Sequence, residues 1–194
     1  MKLPTYWQKL RSLPEDPPGL IVYGFVSDMC QGTLMIQPIN HEELMPFNKE
    51  QIIADIRPAL KSTGTALVEA DSGKAANGEP YVYTIVKIPN EPAHTGVEYN
   101  LTFHRVCDGQ PMQYRAGLKE QGVTGVRDAV VLELSFRDGT VKSTEEGLQG
   151  WFRDPYDPSI TGFTANLSDL AKYDALFPGH ALTNARELVA ALEE

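Results

Sequence analysis

Residues 97–105 read Val97-Glu98-Tyr99-Asn100-Leu101-Thr102-Phe103-His104-Arg105, and this stretch decides the fold class. Val97, Tyr99, Leu101 and Phe103 fall on one face of an extended chain. Glu98, Asn100, Thr102 and His104 fall on the other. A strand inside a parallel sheet is covered on both faces and reads as a continuous apolar run. Strict alternation instead marks a half-buried strand of an antiparallel sheet.

Working outward, the segments 65–71 and 80–88 read as two strands joined by the polar loop 72–79, which contains Asn77-Gly78. Residues 20–27 (LIVYGFVS) and 33–37 form a further hairpin, turning through 28–32. Between the hairpins, Asn48 and Gln51 give a capping box. Ile52, Ile53, Ile56 and Leu60 follow on one helical face over 49–61. Pro58 predicts a kink or restart in that helix, and Gly64 its end. Thr5 and Gln8 predict another capped helix over 5–13, with Tyr6, Trp7, Leu10 and Leu13 on one face. It is stopped by Pro14 and by the Pro17-Pro18-Gly19 run.

Residues 125–136 fit two readings. As a strand, Val130, Leu132, Leu134 and Phe136 share a face. As a helix over 124–137, Thr124 caps it, Asp128 and Arg137 suit its dipole, and Val126, Val130 and Leu134 share a face. The helix is preferred. Beyond it, Ser168 is expected to cap a short helix carrying Leu170, Tyr173 and Leu176. A capping box at Asn184 and Glu187 opens a terminal helix over 184–193, with Ala185, Leu188, Val189 and Leu192 as its apolar stripe. The expected architecture is one α+β domain over 1–194. It has an antiparallel sheet of about five strands with helices packed against it. Residues 1–18 form a peripheral helix and Pro-rich connection, and 141–194 form a helical, loop-rich C-terminal segment.

The chain has 194 residues, of which 42% are hydrophobic, enough for a core that needs no metal or disulfide. No apolar run approaches the roughly 18 residues of a membrane helix. The N-terminal residues lack the apolar core of a signal peptide, so a cytoplasmic location is expected. A net charge of −9 argues against a nucleic-acid partner. Seven carboxylates lie in 154–194 (Asp154, Asp157, Asp169, Asp174, Glu187, Glu193 and Glu194) against Lys172 and Arg186, so the acidity concentrates there. The cysteines, Cys30 and Cys107, are expected as free thiols, although spacing alone leaves a bridge open. No CxxC, HExxH, GxSxG or GxxxxGK[ST] pattern occurs, and neither a metal nor a cofactor is expected.

The unusual segment is Trp151-Phe152-Arg153-Asp154-Pro155-Tyr156-Asp157-Pro158. Its two prolines forbid a regular helix, and Asp154 and Asp157 suit Asx turns that fix a loop. Arg127, Trp151, Arg153, Asp154, Tyr156, Asp157, Asp174 and His180 are the candidate ligand- or partner-binding residues. His180, beside a helix N-terminus, is expected to hydrogen-bond Asp174 or Asp157. His104 is expected at the surface or half-buried on the polar face of its strand.

The pattern formed by residues 125–128 (GVRD), 152–158 (FRDPYDP), 166–169 (NLSD), Tyr173-Asp174, Phe177-Pro178, His180, Leu182 and Arg186 is similar to that of a group of bacterial proteins of about this size with no assigned activity. The resemblance covers roughly residues 97–190 and favours a helix at 125–136. The layout also resembles the Mog1/PsbP-like type, mostly binding or accessory proteins. The function expected first is a non-enzymatic interaction or accessory protein, immunity-like, that binds a basic protein partner. The alternatives are an enzyme or small-ligand binder with a pocket under the 151–158 loop, and a structural, oligomeric protein.

Overall fold

The computed structural model describes residues 2–89, 96–157 and 165–194, with the backbone alone at 61 and 62. Seven strands form one antiparallel sheet: β1 Gln8–Lys9, β2 Ile21–Val26, β3 Cys30–Pro38, β4 Ala66–Lys74, β5 Pro80–Pro89, β6 Val97–Cys107 and β7 Gln110–Glu120. Their order across the sheet is β1-β2-β3-β7-β6-β5-β4. Three helices accompany it, α1 Lys49–Thr63, α2 Val126–Arg137 and α3 Ala181–Glu193, with a small hairpin of β8 Lys142–Thr144 and β9 Gly147–Gln149. Among the described residues no helix is long and apolar enough to cross a membrane.

The sheet exceeds the expected five strands for two reasons. Asp108 and Gly109 both take positive φ, 51° and 79°, and fold β7 straight back on β6, with Cys107 opposite Gln110. Asp-Gly is a strong signal for a two-residue hairpin turn. The strand after it is obscured because Pro111, Gln113, Arg115, Gly117 and Lys119 dilute its apolar residues. At the N-terminus the expected 5–13 helix is absent. A turn closed by Trp7 N–H to Pro4 C=O leads into β1, which pairs Gln8 with Gly24 and Lys9 with Tyr23. A helix confined by Pro14 to fewer than ten residues is too short to stand alone. Packing Tyr6 and Trp7 edge-on against Phe25, at centroid distances of 4.8 and 4.7 Å, decides the conformation instead.

The main core lies between one sheet face and α3. Leu34, Ile85, Tyr99, Leu101, Phe103 and Leu118 from the strands meet Leu182, Ala185, Leu188 and Leu192 from the helix. The helix starts at Ala181, with His180 as its N-cap accepting the Leu182 N–H on Nδ1, so Asn184 is an internal buried residue and not a cap. A second, smaller core gathers Val131, Val141, Trp151, Leu167 and Phe177 beside α2.

The 125–136 stretch is a helix, but Gly125 and not Thr124 holds the N-cap position. Val126, Val130 and Leu134 do share a face, and it is the exposed one. Arg127, Val131 and Ser135 face inward. The α1 helix runs on through Pro58, from the Asn48 cap to a left-handed Gly64. The short helix expected after Ser168 is two 3-10 turns, Leu167–Asp169 and Ala171–Leu176, and Asn166 makes the cap.

Candidate functional site

The C-terminal segment is fastened to the core face of the sheet by one charged side chain from each of four strands. From β4, Glu69 accepts from Arg186 Nε at 2.6 Å and from the Tyr83 hydroxyl at 2.7 Å. From β5, Lys87 donates to Asp169 at 3.1 and 3.2 Å, and Asp169 also accepts from the Tyr99 hydroxyl at 3.0 Å. From β6, Arg105 donates to the Leu192 carbonyl at 2.8 Å, near the C-terminal end of α3, where a cation also suits the helix dipole. From β7, Glu120 bonds His180 Nε2 at 2.9 Å and accepts the Val97 N–H at 3.0 Å. Lys87, Asp169, Glu120 and Arg105 are all buried, so each charge depends on its partner. Burial, with Asp169 next, pushes the Tyr99 hydroxyl well above the ordinary phenol range. It is therefore a permanent donor.

The candidate residues read from the sequence fall into this framework. Arg127 and Asp174 do meet, at 2.7 Å, and Asp174 also takes Arg186 at 3.0 Å. Arg127 is 1% exposed and further donates to the Ser168 and Leu170 carbonyls and to Thr183. Asp154 caps its own loop, accepting from the N–H groups of Tyr156 and Asp157 at 2.8 and 2.9 Å, and pairs with Arg57 of α1 at 3.2 Å. Asp157 lies 3.7 Å from the same guanidinium. The Tyr156 hydroxyl accepts the Ala70 N–H on the outer edge of β4. Trp151 is buried in the second core, and Arg153 is exposed. Pro158 lies outside the described residues. His180 joins neither Asp174 nor Asp157; its ring partner is Glu120. Arg127 and Asp174 thus meet each other, Asp154 and Asp157 contact α1, Tyr156 contacts β4, His180 contacts β7, Trp151 lies in the second core and Arg153 is exposed, so the eight do not converge on one site.

The pairing also changes what the acidity means. Of the C-terminal carboxylates, Asp154, Asp157, Asp169 and Asp174 each face an internal cation. Each is therefore committed to a contact within the fold. Among the described residues no group of three or more His, Cys, Asp or Glu side chains gathers as a metal site. Cys30 and Cys107 are both free thiols, and burial pushes the Cys30 thiol up to about 11.

The opposite face of the sheet is covered only in part. α1 packs on β4 and buries Ile52, and Met45 caps His104. Over β3, β7 and β6 the described residues leave the face open, and a groove of about 410 Å³ lies there. Strand register fixes its floor. Gly24, Thr33, Gly117 and Asn100 stand side by side in one row across β2, β3, β7 and β6. One wall is the row Val26, Gln31, Lys119 and Glu98; the other is Val22, Met35, Arg115 and Thr102. Gly117 lowers the middle row into a trough crossing β3, β7 and β6, whereas the Leu10 side chain lies over Gly24. A Cβ on Gly117 would stand 3.0 Å from Glu98 Oε1 and 3.4 Å from Asn100 Oδ1. A second recess of about 720 Å³, beside β1 and β2, shares Gln31 and Thr33 with the first. The trough ends at the chain Gln37–Gln113–His104, linked at 3.3 and 2.9 Å.

Sequence reasoning missed this site because its central strand is β7, which supplies four of the eleven residues that line the groove. The signal was present in the alternation of Gln113, Arg115, Gly117 and Lys119 after an Asp-Gly turn. Neither a family model nor a curated protein matches this chain.

Proposed function

We propose that the protein is a binding protein, without catalytic chemistry of its own, that receives a segment of a partner in the transverse trough of its open sheet face. The single observation that carries this is the run of β3, β7 and β6 left uncovered by the described residues, with hydrogen-bonding side chains in register around a floor thinned by Gly117. The groove volume falls within the range of about 300–1,000 Å³ usual for ligand sites. Its walls offer donors, acceptors and an exposed methionine, but neither a cysteine nor a histidine in the lining. The accessory-protein reading of the sequence keeps its class, and its docking face moves from the acidic C-terminal segment to the sheet.

Gly117→Val tests it. Gly117 has no left-handed φ, and an added side chain meets only the flexible ends of Glu98 and Asn100, so the strand tolerates it while the trough fills. Random twelve-residue peptides displayed on phage are selected on the native protein and counter-screened on Gly117→Val, whose folding is checked by thermal melting. The proposal expects enriched sequences that bind the native protein and lose at least tenfold on the variant. No enrichment, or binders indifferent to the substitution, contradicts it.

A further inference from the structure

We infer that the Asn77-Gly78 step at the tip of the β4–β5 hairpin is a site of spontaneous covalent modification, deamidation through a cyclic imide, and that Glu79 sets its rate by holding the Asn77 carboxamide. The inference is independent of the trough. The chain has seven asparagines, and only Asn77 is followed by glycine. That matters because the attacking group is the backbone nitrogen of the following residue. Without a Cβ on that residue, the nitrogen approaches the side-chain carbonyl unhindered. Asn77 and Gly78 are both exposed. Gly78 takes a φ of 85°, and among the described residues nothing lies within 4 Å of a Cβ built there.

The reaction balances with one water. The Gly78 nitrogen attacks Asn77 Cγ and gives up its proton. The new N–Cγ bond closes a five-membered ring, and the Cγ–Nδ2 bond breaks. The leaving nitrogen takes that proton and departs as ammonia. Water then opens the imide at either carbonyl, giving aspartate or its side-chain-linked isomer, isoaspartate. Nothing is oxidised or reduced.

In the folded tip every reacting group is engaged. The Gly78 N–H donates to the Ala75 carbonyl at 2.8 Å. Asn77 Oδ1 accepts the Glu79 N–H at 3.1 Å, and Nδ2 donates to Glu79 Oε2 at 2.7 Å. Attack needs the carboxamide turned toward the Gly78 nitrogen and that nitrogen freed of its proton. Glu79 opposes the first by gripping both ends of the carboxamide. The turn opposes the second. Glu79 is itself fixed, because its Oε1 accepts the Asp108 N–H at 2.9 Å and Arg105 lies 3.9 Å from its Oε2. One carboxylate thus joins this tip to the β6–β7 turn and holds the asparagine through that join. Conversion to aspartate replaces the bond from Nδ2 by two facing carboxylates, so the modification loosens the join.

The test incubates the full chain at neutral pH and 37 °C and follows the tryptic peptide 75–87 by mass spectrometry for a gain of about 1 Da. The native protein is compared with Glu79→Ala and with the same chain unfolded in guanidinium chloride. The expected result is modification at Asn77 before any other asparagine. The unfolded chain should convert at least tenfold faster than the folded one. Glu79→Ala should convert at least threefold faster than the native protein, with the Ala75 amide, which donates to the Glu79 carbonyl at 2.8 Å, still protected from hydrogen exchange. Equal rates in the folded and unfolded chains, a native rate in Glu79→Ala, or earlier modification of another asparagine overturns the inference. Acceleration accompanied by loss of Ala75 protection makes the turn the restraint in place of the Glu79 carboxylate, and also overturns it. None of these outcomes bears on the trough.

Discussion

His104 shows how one residue can obey the strand pattern and still escape its surface reading. Alternation places it on the polar face of β6, and register confirms it there, opposite Gln113. It is nevertheless 2% exposed, because the 39–48 segment crosses that part of the face and the Met45 N–H donates to its Nδ1 at 3.1 Å. Burial, and then the charge of Arg115, hold its pKa down to about 4, with Glu43 opposing. The unfolded chain keeps an ordinary histidine near 6.5. Above that value neither state binds the proton, and the neutral ring's contribution is fully present. As pH falls from 6.5 toward 4 the unfolded state takes the proton first, so stability declines, by at most about 3 kcal/mol. Below 4 this contribution is flat. Urea midpoints measured from pH 7.5 to 4 should therefore fall less steeply in His104→Gln than in the native protein. Equal slopes would contradict the buried, neutral ring.

At the scale of elements, α2 separates what periodicity can tell from what it cannot. The 3.6-residue spacing gives the helix, and Val126, Val130 and Leu134 do lie on one side. Which side faces inward depends on the second core, whose Val141, Trp151, Leu167 and Phe177 come from distant parts of the chain. Arg127 turns inward because two carbonyls, Thr183 and Asp174 satisfy its guanidinium, and its Cζ lies 5.5 Å from the centroid of the Phe177 ring. A local window reads a buried arginine as a surface one, since the compensating groups are more than forty residues away. Two substitutions distinguish the faces. Val131→Ala removes fully buried methyl groups and should cost about 1–3 kcal/mol in urea unfolding. Val130→Lys, on the exposed side, should change stability by less than about 0.5 kcal/mol. The reverse order would mean that the helix is rotated.

At the scale of the molecule, the antiparallel α+β class was legible in residues 97–105 and in the two hairpins before them. The seventh and central strand was concealed by proline, glycine and charge in β7. The candidate site divides the same way. Arg127, Asp154, Asp174 and His180 stood out in the sequence because they lie in a dense, unusual motif. The structure shows that motif tied to Glu69, Lys87, Arg105 and Glu120 of the sheet and to Arg57 of α1, over sequence separations of 41 or more residues. A conspicuous motif can thus be architectural, while the open groove is built from unremarkable strand residues that only register brings together. The direct measurement is the footprint of a selected peptide on the full chain, read from backbone amide shifts by NMR. A groove-bound peptide should shift amides at 31–35, 98–102 and 115–119. Shifts confined to 126–137 or 150–157 would place recognition on α2 or the C-terminal loop and contradict the account.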